Sequence, residues 1–221
     1  WSGTSSLSLG SLDGTNGFPL FGVDAYDNSG RSVSGAGDVN GDGLGDLILS
    51  AKDRVFGSYV LFGKTTSTTV DLSSITNGTG GFKVSTDASN RFHEVSGVGD
   101  VNGDGLADVA HLNTNMNRTT VVFGKTSGTL VDPYGFANSS AGFNISGTCQ
   151  SVSGAGDVNG DGYADIFVGT KLSVIYKLIG GANTQFTTIT ITAPYREPTC
   201  MIFADITRDK YDEILVSTKS G

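Results

Sequence analysis

Apolar positions along the chain fall in short runs rather than at a helical period. Leu47-Ile48-Leu49, Tyr59-Val60-Leu61-Phe62, Val121-Val122-Phe123 and Ile166-Phe167-Val168 are each bounded nearby by Gly, Asp, Asn or Ser. Runs of that length between turn formers predict strands with buried faces, not helices. The chain carries 33 glycines against four prolines, with no collagen period, so many tight turns are expected. Ser and Thr are abundant and long Ala/Leu/Glu/Lys tracts are absent. The expected fold class is all-β.

An internal repeat organises these strands. Ser32-Val-Ser-Gly-Ala-Gly-Asp-Val-Asn-Gly-Asp-Gly-Leu-Gly-Asp46 returns as Glu94-Val-Ser-Gly-Val-Gly-Asp-Val-Asn-Gly-Asp-Gly-Leu-Ala-Asp108, and again as Ser151-Val-Ser-Gly-Ala-Gly-Asp-Val-Asn-Gly-Asp-Gly-Tyr-Ala-Asp165. After each loop comes an apolar strand, then a second strand ending in Phe62-Gly63-Lys64, Phe123-Gly124-Lys125 or the weaker Ile179-Gly180-Gly181. A Ser/Thr-rich segment follows (Thr69 to Leu72, Thr129 to Val131), and a Gly-Phe pair precedes each loop (Gly17-Phe18, Gly81-Phe82, Gly142-Phe143). Each unit reads as four short antiparallel strands: one before the loop, one after it, the Phe-Gly strand and an outer Ser/Thr strand. Four such strands cannot shield both of their own faces, so the units are expected to stack face to face as blades of a β-propeller. The chain then forms one region, 1–221, with units at about 1–64, 65–125 and 126–181 and a degenerate partial unit at 182–221. That is about three full blades plus partial ones, with Trp1 to Leu9 as an outer strand and Glu213 to Gly221 as a post-loop strand. A piece of a larger propeller, a closed four-blade ring and an assembly through exposed blade edges all remain open.

The loops carry the candidate chemistry. In the first, oxygen side chains stand at positions 1, 3, 5 and 9 (Asp38, Asn40, Asp42, Asp46), and Leu44 at position 7 offers its backbone carbonyl. The second set is Asp100, Asn102, Asp104, Leu106 and Asp108, and the third Asp157, Asn159, Asp161, Tyr163 and Asp165. Hard oxygen donors with carboxylates dominating suit Ca²⁺ better than Mg²⁺, and no Cys or His is placed to favour zinc or copper. The glycines between the donors, such as Gly41 and Gly43, let the chain curl with positive φ. The loop begins like an EF-hand but has Leu49, His111 or Val168 where that motif needs a bidentate Glu, so it is expected inside a β-hairpin. Asp-Gly and Asn-Gly also make plain turns. A turn needs two such side chains, whereas each of the three copies keeps four. Three Ca²⁺ sites with a structural role are therefore expected. The fourth unit keeps the spacing at Asp205, Thr207, Asp209 and Glu213 but replaces both glycines with Arg208 and Lys210, and no metal is expected there.

Phe-Gly and Gly-Ala-Gly elements flanking an Asp-x-Asn-x-Asp-Gly-x-x-Asp loop resemble the FG-GAP repeat of integrin α-chains and related secreted proteins. The resemblance covers nearly the whole chain. It implies a propeller of usually seven blades, an extracellular or cell-surface location and a role in adhesion or protein interaction.

Charge and the remaining residues narrow the function classes. The formal net charge is −8, and nine of the 22 acidic residues lie in the three loops, so three divalent cations would bring the sum to −2. Nothing offers a basic face to nucleic acid. No apolar run is long enough to span a membrane, and the polar opening Trp1-Ser-Gly-Thr is not a signal peptide. Cys149 and Cys200 stand shortly before the loops of units three and four, which leaves a disulfide or two buried thiols; the extracellular resemblance implies the disulfide. Asn77, Asn117, Asn138 and Asn144 head glycosylation sequons, with Asn77 and Asn138 in loop-like stretches. His93 and His111 lie near no nucleophile arrangement, and the chain is not expected to be an enzyme. Three readings follow: a calcium-binding extracellular adhesion or protein-interaction module, a subunit of an extracellular filament built from like chains, and a glycan-binding accessory domain.

Overall fold

A computed structural model describes residues 9–12, 17–51, 57–85, 93–133, 136, 140–147 and 149–170, with strand backbones at 174–179, 187–192, 198–204 and 213–218. After a 3-10 turn at Leu9–Ser11 comes the two-residue strand β1 (Leu20–Phe21), then β2 (Val33–Gly37), β3 (Asp46–Ala51), β4 (Gly57–Leu61), β5 (Val70–Asp71), helix α1 (Leu72–Thr76) and β6 (Gly81–Ser85). There follow β7 (His93–Gly99), β8 (Asp108–Asn113), β9 (Arg118–Val122) and β10 (Gly142–Ser146). The last strands are β11 (Cys149–Gly154), β12 (Ile166–Thr170), β13 (Val174–Ile179), β14 (Thr187–Thr192), β15 (Pro198–Ala204) and β16 (Glu213–Thr218). They form three four-stranded antiparallel sheets, β2-β3-β4-β6, β7-β8-β9-β10 and β11-β12-β13-β14, beside two-stranded β1-β5 and β15-β16. The all-β expectation holds. No closed barrel is present among the described residues.

The central strands are apolar on both faces because the second sheet is covered on both sides and the first is covered on one side fully and on the other in part. Along β3, Ile48 faces the second sheet, where it meets Val95, Val109 and Val122 in one buried cluster with Val60, Phe82 and Val84. Leu49 and Ala51 point the other way, onto Phe18, Leu20, Leu72 and Ile75. Ala110 and Leu112 of β8 pack against Val152, Ile166 and Val168 of the third sheet. Burying each such side chain contributes about 1.5–3 kcal/mol before entropy is subtracted.

The outer strand departs from expectation. Thr69 to Leu72 gives only the two residues of β5, because Asp71 accepts from the Ser73 amide at 2.8 Å and caps a helical turn. Leu72 and Ile75, three apart, then share the buried face of that turn. Thr129 to Val131 likewise yields one isolated parallel bridge, Val131 to Val84. The fourth strand of the first two sheets is instead the Gly-Phe segment, so these sheets run from Val33 to Ser85 and from His93 to Ser146. Glycine is needed at its start: a Cβ on Gly81 or Gly142 would strike the Val60 or Val121 carbonyl. Leu9, expected in an outer strand, lies in the 3-10 turn; Trp1 to Ser8 lie outside the described residues.

First strands of successive sheets lie side by side, β2 against β7 and β7 against β11. Their amides are met by side chains of the neighbouring strand. Val95 donates to Ser32 Oγ at 3.2 Å and Gly97 to Ser34 Oγ at 3.3 Å. One repeat later the Val152 amide donates to the Glu94 carboxylate. The approach is close enough that a Cβ on Gly97 would collide with the Gly35 carbonyl and stand 3.0 Å from Ala36 Cα, whereas one on Gly35 would meet nothing within 4 Å. Gly97→Ala is therefore expected to lower stability by about 1–3 kcal/mol, and Gly35→Ala to change it by less than about 0.5 kcal/mol. Urea unfolding midpoints of the two variants check this; equal effects would contradict the packing.

Candidate metal centre

Each Asp-rich segment is the connection of a hairpin, β2 to β3, β7 to β8 and β11 to β12, as its spacing predicts. The curl is made by glycines in the left-handed region, with φ of 77° and 83° at Gly41 and Gly43, 77° and 88° at Gly103 and Gly105, and 73° and 90° at Gly160 and Gly162. Position 1 organises the turn. Asp38 Oδ1 accepts from the amides of Gly41 (2.7 Å) and Asp42 (3.1 Å), and Oδ2 from Gly43 (2.8 Å). Asn40 accepts from the Asp42 amide at 3.0 Å and donates Nδ2 to Asp42 Oδ2 at 2.9 Å, while Asp42 Oδ1 accepts from Leu44. Asp100, Asn102, Asp104 and Leu106 repeat these bonds. Asp157, Asn159, Asp161 and Tyr163 do so with minor differences. The first three donor side chains of each loop are thus gathered on the inside of one turn.

The closing aspartate does something the spacing alone did not reveal. Asp46 is 2 % exposed. Its Oδ2 accepts from the Val39 amide at 2.7 Å and its Oδ1 from the Gly63 amide at 2.6 Å. Asp108 holds Val101 (2.9 Å) and Gly124 (2.8 Å) in the same way, and Asp165 holds Val158 at 3.0 Å. The glycine of Phe-Gly is therefore a hydrogen-bond donor to the loop. A Cβ there would stand 2.6 Å from the Gly45 carbonyl oxygen, or 2.5 Å from Leu106 Cβ at Gly124.

Burial raises the pKa of Asp46 despite the amides of Gly63 and Val39, and the nearby charges of Asp42 and Asp38 push in the same direction. Asp108, more deeply placed, is pushed up to about 7 by burial, again against two amides. A cation beside such a group would favour its ionised form. The donor set fits calcium in kind: three carboxylates, an amide oxygen and a backbone carbonyl per loop, all hard oxygens. The arrangement is only partly drawn together. Among the described residues no three His, Cys, Asp or Glu side chains converge on one point, and the closing aspartate has both oxygens on amides.

Other sequence-derived candidates are placed as follows. The segment 205–212, with Asp205, Thr207 and Asp209, lies outside the described residues, as do the side chains of Glu213, His93 and Cys200. Cys149 is a free thiol among the described residues, and its implied disulfide partner Cys200 has its side chain outside them; the Cys149 side chain is buried among Val121, Val152 and Ile166 and interacts with Thr119. His111 reaches back across the first inter-sheet core to Ser58 Oγ on β4, with both side chains buried. Asn77 is exposed after α1 and Asn117 is exposed at φ 48°. Asn144 donates its amide to the Pro133 carbonyl at 3.0 Å and accepts from Thr120 Oγ1. Asn138 is outside the described residues.

Repeated four-stranded sheets stacked face to face, each opening on an aspartate-rich hairpin loop, define a β-propeller-like repeat protein. A sequence model of the FG-GAP-like repeat matches residues 100–168 and again 157–216. Together these cover residues 100 to 216, more than half of the 221. The chain belongs to the FG-GAP-like repeat family, whose repeats form modules of protein interaction. No curated protein matches the chain. No helix among the described residues is long and apolar enough to cross a membrane.

Burial also raises Glu94, to about 7, against the lowering effect of the Val152 amide. Its folded pKa exceeds the unfolded value, so the folded state binds more protons between about pH 4.5 and 7. The stability this contributes is complete below about pH 4.5 and is lost as the pH rises through about 7. In chelator, thermal stability is expected to fall across that window. Glu94→Gln, which keeps an acceptor for Val152, is expected to flatten the fall in part, leaving the share of Asp108. Unfolding temperatures measured from pH 4 to 8 check this, and an unchanged slope in the variant would contradict it.

Proposed function

We propose that the chain is a calcium-stabilised interaction module of the extracellular space or cell surface, serving adhesion to a protein partner. The observation that carries the calcium reading is the buried closing carboxylate, raised in pKa and accompanied by two further acids in the same loop. The three loops carry nine carboxylates, whose desolvation and mutual repulsion a hard divalent cation would offset. Asp38, Asn40, Asp42, Asp46 and the Leu44 carbonyl would hold the first ion. Asp100, Asn102, Asp104, Asp108 and the Leu106 carbonyl would hold the second. Asp157, Asn159, Asp161, Asp165 and the Tyr163 carbonyl would hold the third. The ion supplies charge and cross-linking rather than reaction chemistry. A binding role rather than a catalytic one agrees with the Ser58–His111 pair, which is sealed between two sheets where no substrate reaches it.

With saturating Ca²⁺ the unfolding temperature is expected to rise by about 5 °C or more over chelator. The rise should vanish in an Asp42→Ala/Asp104→Ala/Asp161→Ala variant. Identical curves with and without calcium would leave the loops as turns only and remove the metal from this reading.

A second reading, a subunit of an extracellular filament of like chains, is favoured by one face of the first sheet. Val33 is 64 % exposed, where its counterparts Val95 and Val152 are 4 % and 3 % exposed. Leu47 is 40 % exposed against 1 % for Val109 and 0 % for Ile166. If like chains cover this face, light scattering should show mass rising with concentration and Val33→Glu should abolish the rise. A constant monomer mass would rule the filament out.

A further inference from the structure

The peptide unit joining Leu106 to Ala107 belongs to two loops at once. Its carbonyl is the position-7 donor of the second loop. Its N–H donates to the main-chain carbonyl of Asp38, position 1 of the first loop, at 2.9 Å. The unit joining Tyr163 to Ala164 repeats the arrangement: its carbonyl is the position-7 donor of the third loop, and its N–H donates to the Asp100 carbonyl at 2.9 Å. A peptide group is planar, so whatever orients the N–H also orients the carbonyl.

Side-chain packing stiffens the same links. A Cβ on Gly37 would stand 2.7 Å from Ala107 Cβ, and one on Gly99 would stand 2.8 Å from Ala164 Cβ. A Cβ on Gly41 would stand 2.9 Å from Leu106 Cδ2, while Gly103 lies directly against the Tyr163 ring. Leu106 also backs onto Gly124 of its own sheet, so it is wedged between the preceding loop and the Phe-Gly strand. A close-packed contact of this kind transmits a shift rather than absorbing it. At the start of the row the residue equivalent to Ala107 and Ala164 is Gly45, and a Cβ there would meet nothing within 4 Å.

We infer that the three loops bind calcium as a coupled row rather than as independent sites, the links being the Leu106–Ala107 and Tyr163–Ala164 peptides. The inference rests on the calcium reading above. An ion that fixes Asp38 fixes the residue whose carbonyl receives Ala107, and so holds the peptide plane that carries the Leu106 donor. By linkage the help is mutual, so an ion in the second loop raises the affinity of the first. The middle loop is linked on both sides, and its loss therefore weakens both neighbours.

Calorimetric titration of the intact chain with CaCl₂ tests this with two variants. Asp104→Ala removes an exposed donor of the middle loop and should leave two ions bound, each about fivefold or more weaker than in the wild type. Tyr163→Ala keeps every proposed donor, because only the backbone carbonyl of that residue is used; it should bind three ions with reduced cooperativity between the second and third. Two ions at wild-type affinity in Asp104→Ala, or wild-type cooperativity in Tyr163→Ala, would overturn the coupling while leaving the calcium sites intact. No calcium binding by the wild type would instead overturn the calcium reading, and the coupling with it.

Discussion

The buried aspartate at the end of each loop is the constraint on which the rest of the architecture depends. An ionised carboxylate removed from water costs several kcal/mol unless it is met by donors. Asp46 and Asp108 are each met by two backbone amides, one from the loop and one from the Phe-Gly strand. Charge-assisted bonds of this kind contribute about 1.5–3 kcal/mol each. The aspartate thereby joins the loop, the strand it begins and the end of the next strand. Gly63 and Gly124 have to be glycines because the donor amide can approach only without a side chain in the way. Loop and sheet are a single folding problem with one solution.

A second constraint concerns the row of first strands. An edge strand whose amides face its neighbour could pair with it by backbone and merge two sheets into one. Here the amides of Val95 and Gly97 meet the hydroxyls of Ser32 and Ser34 instead, and that of Val152 meets Glu94. Side-chain acceptors satisfy the donors while keeping the sheets separate. The glycines of this stretch then let the backbones approach closely enough for the apolar faces behind them to seal.

Much of this was legible in the residues. Short apolar runs bounded by turn formers marked the strands, and the period of the Asp-rich segment marked the sheets. The glycines at loop positions 4 and 6 were readable as positive-φ positions because nothing else suits a curl that tight. The strand expected over Thr69 to Leu72 is cut to the two residues of β5 because a local signal in the sequence, the Asp71 cap followed by Leu72 and Ile75 on one helical face, outweighs the β-branched residues. The Gly-Phe strands were visible as pairs, but pairing partners are long-range and no local pattern names them. The link from Ser58 to His111 and the Gly63 amide bond to Asp46 were hidden for the same reason: each joins residues well apart in sequence whose roles exist only once the strands are assembled.

The serine pair at the start of β2, Ser32 just before it and Ser34 within it, gives the stack a direction. At the first junction the earlier sheet supplies the oxygen acceptors and the later one the amides, and at the second the Glu94 carboxylate receives the Val152 amide in the same sense. Two like sides brought together would set acceptor against acceptor or donor against donor. A unit of this kind therefore has a head and a tail, and successive units add in one sense, with a pair of hydroxyls at the first junction and a carboxylate at the second. A unit turned end for end would exchange its donors and acceptors and could not be sealed against either neighbour.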